Sequence, residues 1–151
     1  MGERSIKVGN DVNQSALVTG DASKVSTYRA HYAIAERLVK LDPNNAGWQR
    51  GLSISHNKIG DMQVVQGDLA GALQSYRMGL AIAERLAKLD PDNAGWQRDL
   101  IVNYIKMSEV AKKKSYVWKA LETALAMQRA GTLAPVDAWM IDDLEKRAGW
   151  E

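Results

Sequence analysis

Residues 33–50 read AIAERLVKLDPNNAGWQR and residues 81–98 read AIAERLAKLDPDNAGWQR. The two stretches differ only at Val39/Ala87 and Asn44/Asp92, and they stand 48 residues apart (81 − 33). Self-similarity at a fixed period of this length marks a stacked-repeat architecture, in which each copy of one unit buries its apolar face on its neighbours. The phrase carries its own punctuation. Ala-Ile-Ala-Glu-Arg-Leu places apolar residues at helical spacing. The residue before Pro43 or Pro91 is disfavoured in the α conformation, and Asn45 or Asn93 can cap a helix starting at the following Ala-Gly-Trp. One helix therefore ends, and the next begins, inside the repeated phrase.

Working outward, Val25, Tyr28, Tyr32, Ala35, Leu38 and Leu41 predict a helix over about 22–41. A second is predicted over 47–66, with Trp48, Leu52, Ile59 and Gln63 on one stripe and Gly67 as its stop. A third runs over 69–89 behind Asp68 as cap, and a fourth over 95–113 on Trp96, Leu100, Tyr104 and Met107. A fifth covers 116–129 and ends at Gly131, and a last short helix starts at Pro135, a favoured first-turn residue. Short turns force antiparallel hairpins. Tyr28-Arg29 aligns with Tyr76-Arg77, so the first helix is the second half of a repeat unit. The expected organisation is a half repeat over 22–42, a repeat over 43–90, a degenerate repeat over 91–131 and a capping helix over 135–148.

Residues 1–21 differ in composition. Two β-prone runs, Ser5–Val8 and Ala16–Thr19, flank Gly9-Asn10-Asp11 and read as a hairpin or β-arc. A lone hairpin is marginal in water, so this segment is expected to pack on the first helix or to join copies.

The 20 basic and 18 acidic residues are interspersed and give a net charge of +2, which does not point to nucleic acid. Lys112-Lys113-Lys114 reads as a solvated helix end, where cations suit the macrodipole. There is no cysteine, which removes disulfides and thiolate chemistry and agrees with a reducing, cytoplasmic setting. No apolar run is long enough for a membrane span, and no secretory signal opens the chain. His56 matches Tyr104 of the other copy and reads as a half-buried aromatic slot; His31 reads as solvated. No metal-ligand spacing and no phosphate loop occurs, so no enzyme, metal or cofactor is expected. Trp48 and Trp96 recur at the repeat period and read as plugs beneath each layer rather than stacking platforms. Arg50 and Arg98 are expected to pair with Glu36 and Glu84 across the turn, with a groove-lining role as the other reading.

The stretch Ile59 to Ala81, IGDMQVVQGDLAGALQSYRMGLA, resembles the tetratricopeptide repeat. Ile59-Gly60 stand for its Leu-Gly pair, Gly67 for the turn glycine, Ala72 for the small crossing residue, Tyr76 for the following aromatic and Pro91 for the closing proline. The longer unit, with GDLAGAL and LDPDNAGWQRDL, is similar to the extended repeats of bacterial proteins of the kinesin light chain type. The opening RSIKVGNDVNQSALVTGD resembles segments that precede repeats or signalling modules in bacterial multidomain proteins. The second copy departs from the pattern at Ser108, Ser115 and Ala124. The resemblance implies an all-α, right-handed superhelix of antiparallel hairpins whose concave face is built by the first helix of each repeat. It implies a non-enzymatic scaffold for a peptide or protein segment, such as the sensor arm of a larger bacterial protein. The candidate contact residues on that face are Ile54, Asn57 and Asp61, then Val102, Ile105 and Glu109. These types do not form a clamp for a terminal carboxylate. Ile101, Val102 and Ile105 lie off their helix's main stripe and read either as a contact patch or as stacking residues. A second reading is self-assembly into a homo-oligomer through open repeat ends or the N-terminal segment.

Overall fold

Each repeated phrase folds as a helix stop followed by a capped start. Asp42 N–H bonds back to the Leu38 carbonyl, and Asn45 Oδ1 then accepts from Trp48 N–H at 3.0 Å. The second copy repeats both contacts, with Asp90 to Leu86 and Trp96 N–H to Asn93 Oδ1 at 3.0 Å. A computed structural model describes residues 2–149, with side chains described for residues 22–149. The helices are α1 (Gly2–Leu41), α2 (Ala46–Val65), α3 (Leu69–Leu89), α4 (Ala94–Ala111), α5 (Lys114–Ala130) and α6 (Trp139–Ala148), with a 3-10 turn over Pro135–Asp137 leading into α6. Each helix packs on the next in chain order. Gly67 and Gly131 end α2 and α5 with φ of +78° and +71°, values a Cβ would oppose. At the corresponding end of α4 the left-handed residue is Lys112, with φ of +55°, so the degenerate copy makes its turn without a glycine.

The contacts between α2 and α3 run in opposite register: Asp61 meets Tyr76, Ser53 meets Gly79 and Gln49 meets Arg85. That is an antiparallel hairpin. Ala72 is fully buried, while the ring of Tyr76 lies directly on Gly60, where a methyl would collide with it. The apolar core runs from Ala72, Leu80 and Ala83 through Ile101, Met107 and Leu121 to Leu144 under α6. Trp96 lines a narrow cleft with Ala83, Leu86 and Ser53, consistent with a plug between layers. Ile101 is fully buried and Ile105 packs against the core, so these two serve stacking, while Val102 is left half-buried outside the core.

Two expectations are corrected. Among the described residues there is no strand: Ser5–Val8 and Ala16–Thr19 fall within α1. Strand preference is realised only against a partner strand, whereas extending an existing helix adds one hydrogen bond per residue fixed. The expected packing of residues 1–21 on Val25, Tyr28 and Tyr32 lies outside the described side chains. Arg50 and Arg98 do not pair with Glu36 and Glu84. Arg50 grips Asp99 through two contacts of 2.5 and 3.2 Å, and Arg98 grips Asp137 at 2.7 and 3.0 Å. Each arginine reaches onward along the stack to the next helix start, where a short carboxylate matches the planar fork.

Candidate functional site: the groove between α2 and α4

α2 and α4 run side by side over α3, in parallel register. Arg50 of α2 meets Asp99 of α4 near their N-termini, and Asp61 meets Lys106 at 2.6 Å further along both. Between these two ion pairs lies a groove of about 280 Å³. Its walls are Ser53, Ile54, Asn57, Lys58 and Asp61 from α2, and Arg98, Asp99, Val102, Asn103 and Lys106 from α4. The spacing follows from helix geometry: eleven residues from Arg50 to Asp61 make about 16 Å, and seven from Asp99 to Lys106 about 10 Å.

The floor is set by Gly79 in the middle of α3. A Cβ there would stand 2.7 Å from Asn57 Oδ1, 3.2 Å from Asn103 Oδ1 and 3.2 Å from the Ser53 carbonyl. The absence of a side chain lets both asparagines reach inward from their two helices. Ser53 Oγ–H donates to the Gly79 carbonyl at 2.8 Å, and Asn103 Nδ2–H donates to the Asp99 carbonyl at 2.7 Å. The amide oxygens of Asn57, 8% exposed, and Asn103, 2% exposed, accept no hydrogen bond. A buried acceptor without a donor costs about 1–3 kcal/mol, so two in one place call for a reason.

The charges are largely committed. Asp61 accepts from both Lys106 and the Tyr76 hydroxyl, each at 2.6 Å, and the Lys106 ammonium lies 5.5 Å from the Tyr76 ring centre. Burial, and then the bond to Asp61, push the Tyr76 phenol well above its ordinary range. The hydrogen bond from Arg98 holds buried Asp137 below the usual carboxylate range. Lys58 differs: its ammonium sits 5.9 Å from the Tyr28 ring centre, and among the described residues no carboxylate pairs with it.

Of the six residues proposed from sequence, Ile54, Asn57, Asp61 and Val102 come together in the groove. Ile105 turns to the core, and Glu109 bonds Arg147 of α6 at 3.0 Å, so neither lines it. Gly79, Lys58, Asn103 and Lys106 were missed. A glycine in a helix interior is a sequence signal for close approach, and Gly79 carried it. His56 lies outside the groove, edge-on to Tyr32 at 5.1 Å, and burial lowers its pKa against a smaller opposing pull from Glu36. Among the described residues, no three His, Asp or Glu side chains gather as metal ligands. No helix among them is long and apolar enough to cross a membrane. No protein-family model, curated protein or solved structure matches this chain.

Proposed function

We infer that this chain is a tetratricopeptide-like, non-enzymatic scaffold that holds an extended peptide or protein segment in the groove between α2 and α4. The observation that carries this reading is the pair of unpaired amide oxygens, Asn57 and Asn103, beneath an open groove. Asparagine amides carry both donor and acceptor, so a turn about the last side-chain torsion offers either group to a main chain laid across them. Ile54 at the rim and Val102 on the facing wall supply apolar contact. Lys58, a groove cation with no carboxylate paired to it among the described residues, favours an acidic side chain in the bound segment. A right-handed superhelical course and a role as the sensor arm of a larger bacterial protein in the cytoplasm accompany this reading.

The test is selection of short peptides from a displayed random library on the full chain. Enriched peptides should lose binding to the groove variants Ile54→Glu and Val102→Glu and keep it on Met78→Glu, an exposed position of α3. Lys58→Glu should cost most for peptides that carry Asp or Glu. No enrichment, or peptides indifferent to the groove variants, would refute the assignment.

A further inference from the structure

The two copies of the repeated phrase present the same face to different surroundings. In α3, Ile82 and Leu86 are buried and border a crevice of about 210 Å³ whose other wall is Pro43, Ala46 and Gln49, the turn that opens α2. Arg85 reaches across it to Gln49 Oε1 at 3.5 Å. The matching residues of α1 are Ile34, Leu38 and Arg37. Among the described residues nothing covers that face to the same degree: Ile34 is 56% exposed where Ile82 is 6%, whereas the outermost pair, Leu41 and Leu89, is open in both copies. The six-residue code AIAERL is the same in both helices, so the difference lies in the neighbour and not in the helix.

At the other end of the stack, Pro135-Val136-Asp137-Ala138 opens α6 as Pro91-Asp92-Asn93-Ala94 opens α4. α3 packs on α2 and α5 on α4, whereas α6 packs on α5 and has no further helix on it among the described residues. Val136 is 77% exposed and Trp139 57%. The charges of the two open ends match. Arg37 lies beside Ile34 and Leu41, Asp142 lies one turn from Trp139, and among the described residues neither has an ion-pair partner.

We propose that a second copy of this chain covers these two faces, which nothing covers among the described residues. The turn and first residues of α6 in one copy seat on Ile34 and Leu38 of α1 in the next, with Asp142 against Arg37. α6 is a first-half helix and α1 a second-half helix, so the joint forms one hairpin and the alternation continues across it. The contact is head-to-tail, using two different surfaces, and therefore leads to rings or open filaments rather than a closed two-fold dimer. It uses neither wall of the groove and stands independently of the peptide reading.

Sedimentation of the full 151-residue chain over a rising concentration series tests this. The average mass should climb past that of a dimer. Ile34→Glu and Trp139→Glu, both at exposed positions, should each weaken association about tenfold or more and leave monomer, because each desolvates a charge at the joint. An equimolar mixture of the two variants retains one intact joint and should stop at dimer. Met78→Glu, away from both ends, should associate like the parent, and circular dichroism should show that every variant keeps its helix content. A parent chain monomeric throughout, or a mixture that stays monomeric, would overturn the proposal. A parent dimer lost in Ile34→Glu and intact in Trp139→Glu would do the same, since like face would then meet like face.

Discussion

His56 shows how one residue can carry two messages. Its place in the repeat is that of Tyr104, and it fills the slot as an aromatic, buried and edge-on to Tyr32. Unlike a phenol, a free imidazole has its ordinary pKa close to neutrality, at about 6.5. Burial disfavours its charged form and lowers its pKa, so the folded state prefers neutral imidazole. Stability from this site is therefore complete above the unfolded value of about 6.5 and is lost as pH falls below it. The melting temperature should begin to drop as pH falls through about 6.5, the unfolded imidazole's value, and His56→Tyr should flatten that drop. An unchanged pH profile in the variant would show that other groups carry the dependence.

At the level of elements, the stack is stitched by two arginines in equivalent places with unequal surroundings. Both make two-pronged contacts onto the following first-half helix start. Asp137 is buried, with a side chain 7% exposed, whereas the side chain of Asp99 keeps 21% of its surface open to water. Arg98→Ala leaves an unpartnered carboxylate in the protein and should cost about 1.5–3 kcal/mol. Arg50→Ala should cost less than about 1 kcal/mol, because water replaces the lost partner at little penalty. Urea unfolding of both variants measures the contrast, and equal losses would contradict it. Since Arg98 holds the Asp137 pKa down, its stabilisation is present above the ordinary carboxylate range and fades as pH falls through it.

Across the whole molecule, the groove exists because two parallel helices are held apart by a third. The Arg50–Asp99 and Asp61–Lys106 pairs tie α2 to α4 at two levels, and Gly79 lets the asparagines of both helices meet over α3. Gly79→Ala would place a methyl 2.7 Å from Asn57 Oδ1 and push both amides upward. The expected result is a loss of about 1–3 kcal/mol, retained helix content, and weakened capture of groove-selected peptides. A fully stable variant with parental binding would remove Gly79 from the site. Stability and groove binding are thus coupled through one backbone position, while assembly through α1 and α6 is predicted to be untouched by it.

The order of elements and their limits are written locally and could be read from the chain. Pro43, Pro91, Asn45, Asn93, Asp68, Gly67 and Gly131 act within a few residues of themselves, and the structure places helix starts and stops at them. The split between groove and core on α4 was not legible, because Ile105 and Val102 differ by less than one helical turn and only the position of α5 decides which is covered. The partners of Arg50 and Arg98 lie 49 and 39 residues away, beyond any local signal. Residues 5–19 carried strand preference that the tertiary setting did not use, since no partner strand exists among the described residues. The sequence alone determined a repeated helical hairpin and its punctuation. Only the packing of α2, α3 and α4 decided which side chains share a groove, because that depends on which faces meet once distant copies of the repeat are stacked.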